Sequence, residues 1–313
     1  MEKKSKIYIA GSGGLVGSAI VRKLHADKYE NILEKTSKDM DLRNYLAVES
    51  FFAAEKPEYV FLAAAKVGGI YANATQPAEF IYDNLLIAAN IIHAAHKFNV
   101  RKLLFLGSSC IYPKFSSQPM KEEYLLTGEL EPTNEPYAIA KIAGIKMCQA
   151  YRQQYGSNFI AVMPTNLYGI NDNFDLLTSH VLPALIRKFH EAAQSRQEVV
   201  TVWGSGNPRR EFLYVDDLAD ACVFLMNNYD QGDIINIGTG TDVSITGLAK
   251  LIAHITGFSG QVVYDQSKPD GTPVKLLDVS KLANMGWTAK TSLQEGITKT
   301  YEWFCKNKSL YSD

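Results

Sequence analysis

A tyrosine and a lysine stand four residues apart in the segment Tyr137–Lys141 (YAIAK). On a helix this spacing places the two side chains on one face, about one turn apart. An ammonium group near a phenol favours the phenolate, so that a tyrosine, whose ordinary pKa is about 10, can exchange protons near neutral pH. The pair alone is a weak signal, because many helix surfaces carry one. Its interpretation depends on the polar groups expected beside it.

One such group is Ser108, which follows the apolar run Leu103–Leu106. If that run is a strand of a parallel sheet, Ser108 lies at the carboxyl end of the strand, where sheets of this kind bind ligands. A hydroxyl group there, together with the Tyr137 hydroxyl, can hold a carbonyl oxygen while it becomes an alkoxide. Ser108, Tyr137 and Lys141 together therefore predict a catalytic site for chemistry at a carbonyl group.

A glycine-rich turn lies near the start of the chain, between a strand-like and a helix-like segment. Its glycines allow a tight turn, a close approach of the backbone to a pyrophosphate and close packing of the helix on the strand. The N–H groups and partial positive charge of the helix N-terminus favour the same anion. Such turns also occur by chance, but this position in an alternating chain indicates a bound dinucleotide. The predicted contacts are Gly11, Ser12, Gly13, Gly14, Leu15, Val16 and Gly17.

The elements that must position these groups alternate along the first half of the chain. Short apolar runs, typical of strands buried on both faces, are separated by longer amphipathic segments of helical length. This alternation predicts the α/β fold class with a doubly wound parallel sheet, the Rossmann arrangement. The predicted strands are Ile7–Ala10, Glu30–Leu33, Tyr59–Ala63, Leu103–Leu106 and Phe159–Met163, and the predicted helices are Leu15–Ala26, Tyr45–Ala54, Ala78–Phe98 and Tyr137–Tyr155.

The pattern changes after Pro164, because Gly, Asn, Asp and Pro cluster at Gly169–Asp175 and at Gly204–Pro208. We therefore expect a dinucleotide-binding Rossmann domain over residues 1–167. A smaller, loop-rich lobe over residues 168–313 is expected to bind substrate and to be partly interwoven with the sheet. The helices predicted there are His180–Ala193, Asp217–Asn227, Ser244–Thr256 and Leu293–Lys306.

The composition restricts the class of protein. The 32 Lys and Arg residues against 33 Asp and Glu residues leave a formal net charge of −1, which disfavours a nucleic-acid binder. The four cysteines are widely separated and form no C-x-x-C pair, so neither a disulfide framework nor a metal site is expected. No signal peptide and no membrane-spanning apolar run is visible, and we expect a cytoplasmic protein.

The glycine pattern, the strand end Ala63–Ala65, Ser108 and the Tyr137/Lys141 pair resemble those of the extended short-chain dehydrogenase/reductases that act on nucleotide sugars. Longer segments are similar to one group in this family, which epimerises and then reduces GDP-bound 4-keto-6-deoxy sugars. These segments are Ala63–Tyr71 (AAAKVGGIY), Leu106–Pro113 (LGSSCIYP), Glu131–Lys146 (EPTNEPYAIAKIAGIK), Pro164–Gly169 (PTNLYG), Trp203–Phe212 (WGSGNPRREF) and Lys268–Val279 (KPDGTPVKLLDV).

The resemblance implies a two-step conversion of GDP-4-dehydro-6-deoxy-D-mannose to GDP-L-fucose, by 3,5-epimerisation and then NADPH-dependent reduction of the 4-keto group. In the family the acid and the base of the epimerisation are a cysteine and a histidine, and Cys110 and His180 occupy the matching positions. A thiol with a pKa of about 8.5 and an imidazole with a pKa of about 6.5 are suited to proton exchange near neutral pH. The implied catalytic residues are Ser108, Cys110, Tyr137, Lys141 and His180.

The same resemblance implies four contacts to the GDP-sugar substrate, namely Lys188, Trp203, Arg210 and Asp270. Lys188 and Arg210 suit the pyrophosphate, because cations, and a guanidinium fork in particular, match phosphate oxygens. Trp203 is placed to stack on the guanine, and Asp270 to contact the nucleotide end of the substrate.

The residues leave the choice of cofactor open. NADP binders usually place an arginine in the glycine turn or after the second strand, whereas this chain has Ser12 and Glu34-Lys35. Glu34 can accept a hydrogen bond from a ribose 2′-OH, which favours NAD, while Lys35 can bind a 2′-phosphate. Because the family prefers NADPH, we predict NADP. The further contacts that the resemblance implies are Lys35, Asp41, Leu42, Leu106, Gly107, Ser108, Ser109, Lys141, Pro164, Thr165, Asn166, Leu167 and His180.

Two other functions are compatible with parts of this pattern. One is a nucleotide-sugar dehydratase or 4-epimerase with tightly held NAD, but dehydratases of this type carry a glutamate near the serine. Here nothing acidic follows Ser108 until Glu122. The other is a non-catalytic dinucleotide-sensing module, which would be free to lose the catalytic residues that this chain retains. The family also suggests a homodimer, formed through the helices Ala78–Phe98 and Tyr137–Tyr155.

Overall fold

Strands and helices alternate in the computed structural model, which describes residues 1–268 and 270–311. The strands are β1 (Lys6–Ala10), β2 (Asn31–Lys35), β3 (Tyr59–Leu62), β4 (Lys102–Leu106), β5 (Phe159–Pro164), β6 (Asn166–Tyr168), β7 (Val199–Trp203), β8 (Arg209–Tyr214), β9 (Ile235–Ile237), β10 (Asp242–Ser244), β11 (Gln261–Asp265) and β12 (Val274–Lys275). The helices are α1 (Leu15–Ala26), α2 (Tyr45–Glu55), α3 (Ile70–Thr75), α4 (Pro77–Lys97), α5 (Glu135–Tyr155), α6 (Val181–Gln194), α7 (Val215–Asn228), α8 (Ile245–Thr256), α9 (Ser280–Asn284) and α10 (Leu293–Asn307).

Six parallel strands form the central sheet, in the order β2-β1-β3-β4-β5-β9. The chain runs outward from β1 to β2 and returns to the other side of β1, so the strand order reverses between β1 and β3. At such a point the loops after the two strands diverge and leave a crevice for a ligand. Gly11 follows β1 and Gly107 follows β4, so the glycine turn and the predicted catalytic serine lie at the same edge of the sheet.

Apolar side chains cover both faces of this sheet, as its short hydrophobic strands require. One core, which includes Phe105, lies between the sheet and helices α2, α4 and α5. The other, which includes Leu104, lies beneath α1 and α7. Helix α5 approaches β4 closely at Gly144, where a methyl group would overlap the Phe105 ring. This close packing brings Tyr137 and Lys141, both on α5, towards the end of β4.

Helices α6, α8 and α10 enclose a third core in the smaller lobe. Strand β8 pairs there with β6, β10 and β12, while β7 pairs with β11. Two elements from this half of the chain return to the other half, since β9 extends the central sheet beside β5 and α7 packs against α1. The two halves are therefore interwoven, and a division between residues 167 and 168 stays a prediction.

The predicted doubly wound α/β fold is confirmed, and the predicted strands and helices agree with the observed ones to within two residues. The helices α3 and α9 and the strands β6 to β12 were not predicted. These strands have at most six residues and are held by pairing with distant strands, so local periodicity does not reveal them. Among the described residues, no helix is both long enough and apolar enough to cross a membrane.

Candidate active site

Ser108 begins a single 3₁₀ turn at the carboxyl end of β4. Its hydroxyl oxygen accepts a hydrogen bond from the Cys110 backbone N–H at 3.2 Å, which fixes the side chain close to the Tyr137 hydroxyl group. The Nζ atom of Lys141 donates to the carbonyl oxygen of Leu106 at 2.7 Å and lies 5.8 Å from the centre of the Tyr137 ring. The structure thus brings the serine, tyrosine and lysine together around the end of one strand.

The protonation of Tyr137 differs from the expectation that Lys141 favours a phenolate. Burial raises the pKa of the Tyr137 phenol, Cys110 acts in the same direction, and the hydrogen bond with Ser108 offsets only part of the effect. Burial also lowers the pKa of Lys141 to about 8. Because both charged forms are penalised in the same low-dielectric site, Tyr137 keeps its proton and is poised as a donor.

The Cys110 sulfur lies between two nitrogen donors from distant parts of the chain. Asn134 Nδ2 is 3.3 Å from Cys110 Sγ, and Lys275 Nζ is 3.4 Å from it. Burial raises the pKa of this thiol, but the charges of Lys275 and Arg210 and the hydrogen bonds to the sulfur outweigh it, and the pKa falls below its ordinary value. Cys148 shows the opposite case, since burial raises the pKa of its thiol.

His180 directly precedes α6 and forms the N-terminal flank of that helix. Its side chain is exposed, yet the surrounding protein and the positive charge of Lys275 lower the pKa of its imidazole. The loop before it is tied to the nucleotide-binding half, because the Gly69 N–H donates to the Thr178 carbonyl oxygen at 2.8 Å. The positive charge of Lys275 therefore acts on both His180 and Cys110.

Sequence reasoning did not single out Asn134 and Lys275. Asn134 precedes α5, a common place for asparagine because its side chain can cap a helix N-terminus, but here the side chain turns to Cys110 instead. Lys275 belongs to a two-residue strand, and a single lysine there forms no pattern. The sequence offers one indication of their importance, because Asn134 and Lys275 both lie in segments that resemble the family, Glu131–Lys146 and Lys268–Val279.

The glycine turn after β1 fits a dinucleotide. Gly11 has a φ of 90°, and a Cβ atom on it would lie 2.8 Å from the backbone of Ala64 after β3. A methyl group on Gly17 would overlap the Gly11 carbonyl oxygen, so α1 begins this close to the turn only because glycine stands there. Gly14 precedes α1 without a side-chain cap, which leaves the first N–H groups of the helix for an anion such as a pyrophosphate.

The other residues of this turn have the exposure expected of a cofactor cradle. Ser12 and Gly17 are buried, Gly11 is half-buried, and Gly13 and Gly14 are exposed. A Cβ atom on Gly13 would meet nothing within 4 Å. Leu15 and Val16 are half-buried at the start of α1.

The predicted cofactor contacts after β2 are Lys35, Asp41 and Leu42, and Asp41 forms an ion pair with Arg43. Lys35 is exposed at the end of β2, while Asp41 pairs with Arg43 at 2.9 Å, which lowers the pKa of the Asp41 carboxyl. The Leu42 carbonyl oxygen accepts a hydrogen bond from Asn90 at 2.9 Å. These contacts hold the segment after β2 at the edge of the sheet where β1 ends.

The remaining predicted cofactor contacts follow β4 and β5. The Gly107 N–H donates to the Val162 carbonyl oxygen at 2.8 Å, which aligns the ends of the two strands. Asn166 Nδ2 donates to the Glu211 carbonyl oxygen at 2.8 Å and so points to β8. Around these two positions the structure places Leu106, Ser108, Ser109, Lys141, Pro164, Thr165 and Leu167.

The four predicted substrate residues lie in the smaller lobe. Trp203, at the end of β7, is 52% exposed, and Lys188 Nζ lies 5.2 Å from its ring centre. Arg210 on β8 is half-buried, and burial lowers its pKa although the charge of Asp270 opposes this. The Asp270 carboxylate accepts hydrogen bonds from the Ser205 N–H at 2.6 Å and hydroxyl at 2.7 Å, so it orders the loop after Trp203. A second ammonium group, that of Lys268, lies 5.5 Å from the same ring centre. An exposed indole beside two cations suits a planar base that carries phosphates.

Two carboxylates that follow Ser108 in the chain, those of Glu122 and Glu131, are engaged by other groups. Glu122 accepts a hydrogen bond from the Asn236 backbone N–H at 3.0 Å, and Glu131 pairs with Lys114 at 3.0 Å. In the described part of the chain, no cluster of three or more His, Cys, Asp or Glu side chains could hold a metal ion. The acid–base groups that the structure brings to Ser108 include the Cys110 thiol, the Tyr137 phenol and the Lys141 ammonium group.

Comparisons with known proteins agree with this geometry. The sequence profile of the NAD dependent epimerase/dehydratase family matches residues 7–238. GDP-L-fucose synthase 1 of Arabidopsis thaliana is 60% identical, over 98% of this chain and 95% of that protein. GDP-L-fucose synthase of Escherichia coli is 53% identical, over 98% of this chain and 99% of that protein. The crystal structure of a GDP-L-fucose synthetase from Naegleria fowleri bound to NADP is 30% identical, with a TM-score of 0.91 over 99% of this chain and 96% of that one.

Proposed function

Because the chain belongs to the NAD dependent epimerase/dehydratase family, we propose that it converts GDP-4-dehydro-6-deoxy-D-mannose to GDP-L-fucose by 3,5-epimerisation and NADPH-dependent reduction at C4. The GDP-L-fucose synthases that match nearly the whole chain confirm the predicted activity, and the NADP-bound relative confirms the predicted cofactor. The observation that carries the proposal is the placement of an acidified Cys110, beside Lys275, next to Ser108 and Tyr137.

The epimerisation requires proton exchange at C3 and C5 of the sugar. Both carbons flank the C4 carbonyl, so loss of a proton from either gives an enolate whose negative charge lies on the C4 oxygen. Hydroxyl groups of Ser108 and Tyr137 are placed to donate to that oxygen and stabilise the enolate. Cys110 and His180 are the acid–base pair, in which one side chain removes a proton and the other returns one to the opposite face.

The reduction acts on the same carbonyl group. A reduced nicotinamide, when bound, supplies the hydride for C4. Tyr137 donates its proton to the C4 oxygen, and its raised pKa suits a phenol that must keep the proton until an alkoxide forms. Lys141, held by the Leu106 carbonyl oxygen, lies beside the phenol and stabilises the phenolate that remains after the transfer.

The dehydratase alternative is disfavoured by the contacts of two glutamates that follow Ser108. A dehydratase of this family would need a carboxylate beside Ser108 to remove the C5 proton, whereas Glu122 and Glu131 are held by Asn236 and Lys114. Cys110 occupies the position close to Ser108 instead. This observation favours epimerisation with reduction over dehydration.

We assign the GDP moiety of the substrate to the smaller lobe. Trp203 stacks on the guanine, and Lys188 and Arg210 neutralise the pyrophosphate. Asp270 acts on this site mainly by ordering the loop after Trp203 through Ser205. The sugar then extends towards Cys110, whose thiol lies within the field of Arg210.

We also propose a homodimer and a cytoplasmic location. Helices α4 and α5 pack against each other and leave Tyr82 62% exposed and Tyr155 54% exposed, which supports a further helix pair as their partner. All four cysteines are free thiols, which supports a reducing compartment. Fractionation of the source cells, followed by detection of the protein, tests the location.

The experiment that tests the proposed function is the variant Cys110→Ser. A serine hydroxyl is a much weaker acid and base than a thiol, so we expect deuterium incorporation from solvent at C3 and C5 to fall by about 10²- to 10⁴-fold. Hydride transfer survives, because Ser108, Tyr137 and Lys141 are unchanged. The variant should release a reduced 6-deoxy sugar nucleotide whose C3 and C5 centres have not inverted, measured by NMR of the product.

Cys305→Ser is the matched control, because Cys305 is also a half-buried free thiol but lies near His190, away from the site. It should exchange deuterium at the wild-type rate. If Cys110→Ser also does so and still yields only GDP-L-fucose, Cys110 is a packing residue. The proposed epimerase site would then be wrong.

A further inference from the structure

The contacts of the Cys110 sulfur resemble those of an anion more than those of a neutral thiol. Two nitrogen donors, Lys275 Nζ and Asn134 Nδ2, approach it at 3.4 and 3.3 Å. A thiol sulfur is a weak acceptor, whereas a thiolate accepts charge-assisted hydrogen bonds readily. The Asn134 side chain gives up helix capping for this contact, and its buried Oδ1 atom has no hydrogen-bond partner.

The strand pairing of Lys275 places it beside a second cation. In the parallel pair of β12 and β8, Lys275 stands directly opposite Arg210. Two like charges at paired strand positions destabilise a sheet unless negative charge offsets them. Asp270 offsets Arg210, and the group that the ammonium of Lys275 contacts is Cys110. A negative charge on the sulfur makes this pairing favourable.

From these contacts we propose that Lys275 is a positioning residue that holds Cys110 as a thiolate through a direct N–H···S contact. The sulfur then begins the epimerisation as a base, and the proton that it takes from carbon makes it a neutral thiol. The use of the thiolate in catalysis rests on the proposed function, whereas its existence depends only on the contact with Lys275.

The other charged and titratable groups around Cys110 act less directly. Arg210, from β8, also favours the thiolate, while burial opposes it. From α5, Tyr137 is a neutral phenol and Lys141 directs its ammonium to Leu106. At His180, which directly precedes α6, the surrounding protein and, as the smaller cause, the charge of Lys275 lower the pKa of the imidazole. The charge of Lys275 thus favours the deprotonated forms of both side chains. The proton that His180 returns to the opposite face of the sugar therefore enters from solvent, to which His180 is exposed.

The test measures alkylation of Cys110 by iodoacetamide in the full chain, without substrate or cofactor, followed peptide by peptide with mass spectrometry from about pH 5 to 10. Only the thiolate reacts, so the midpoint of the rate profile reports its formation. In the wild type we expect a midpoint below the ordinary thiol value of about 8.5. Lys275→Met should raise the midpoint by about 1 to 3 pH units, which slows alkylation at neutral pH by about tenfold or more.

Two further variants make the result specific to the lysine contact. Lys275→Arg keeps the charge and should restore most of the midpoint shift, which a merely structural role would not produce. Lys250→Met removes an exposed lysine of α8 and should leave the profile unchanged. An unchanged midpoint in a folded Lys275→Met protein overturns the proposal. If that variant does not fold, a wild-type midpoint at or above about 8.5 overturns it as well.

A substrate assay separates this proposal from the proposed function. With GDP-4-dehydro-6-deoxy-D-mannose, Lys275→Met should exchange deuterium slowly at neutral pH and regain most of the rate at alkaline pH, through a change in kcat. A shifted alkylation midpoint with no substrate turnover in any variant would support the thiolate and refute the proposed function. A normal turnover of substrate together with an unshifted alkylation midpoint in Lys275→Met would support the proposed function and refute the thiolate.

Discussion

Tyr137 and Cys110 both face Ser108, but the site acts on their protons in opposite directions. Burial keeps the proton on Tyr137, because Lys141, although 5.8 Å from the centre of the Tyr137 ring, donates to the Leu106 carbonyl oxygen. Lys275 and Arg210 weaken the hold of Cys110 on its proton, although the thiol is equally enclosed. At the scale of single residues, the contact of 3.4 Å between the Lys275 ammonium group and the Cys110 sulfur therefore distinguishes Cys110, the base, from Tyr137, the proton donor.

At this scale we predict that Tyr137→Phe abolishes reduction while leaving the fold nearly unchanged. The variant removes only the proton donor to the C4 oxygen, so the rate of NADPH oxidation should fall by at least about 10²- to 10⁴-fold. The control is Tyr59→Phe, because Tyr59 lies at the opposite end of the sheet, at the start of β3. Wild-type turnover of Tyr137→Phe would remove the phenol from the mechanism.

The glycine turn is the element that binds helix α1 to the cofactor edge of the sheet. Its two close approaches, Gly11 to Ala64 and Gly17 to Gly11, leave no space for side chains. Gly13 lies in the same turn but has open space around its Cβ position. Gly17 and Gly13 therefore form a matched pair of positions for substitution by alanine, since an added methyl group has no space at Gly17 and open space at Gly13.

For this element we predict that Gly17→Ala destabilises the protein by about 1 to 3 kcal/mol, because the added methyl group overlaps the Gly11 carbonyl oxygen. Gly13→Ala should leave the free energy of unfolding nearly unchanged. Urea denaturation without cofactor measures both values. Equal stability of the two variants would mean that α1 moves away from the turn at little cost.

Elements marked by neighbouring residues could be predicted from the sequence. Elements that form only through pairing with distant segments could not. Helix α1 begins at Leu15 and ends at Ala26 as predicted, because its apolar spacing and the preceding glycines mark it. Strand β12 was not predicted, because its two residues form a strand only by pairing with β8. Lys275 was missed for the same reason, although Cys110 and Ser108, which directly follow a strong strand signal, were not.

At the scale of the whole molecule we predict a dimer that forms through α4 and α5. Tyr82→Asp places a charge on the exposed face of α4, and a charge without a partner is costly to bury in an interface. The dissociation constant of the dimer should rise by on the order of 100-fold or more, as measured by sedimentation velocity. Phe115→Asp is the control, since Phe115 is 82% exposed but lies outside these helices. A wild-type protein that sediments as a monomer at micromolar concentration would contradict the prediction.

The interweaving of the two halves has a consequence for synthesis. The last strand of the central sheet, β9, spans Ile235–Ile237, so a ribosome must synthesise most of the chain before β5, already paired with β4, gains its second neighbour. Until then the edge of β5, which consists of buried apolar residues in the finished protein, faces the surroundings. An unpaired apolar edge is a site of aggregation in a nascent chain. A pause in translation between residues 165 and 234 therefore leaves a chain with its nucleotide-binding sheet one strand short, and that edge of β5 stays unpaired until β9 emerges.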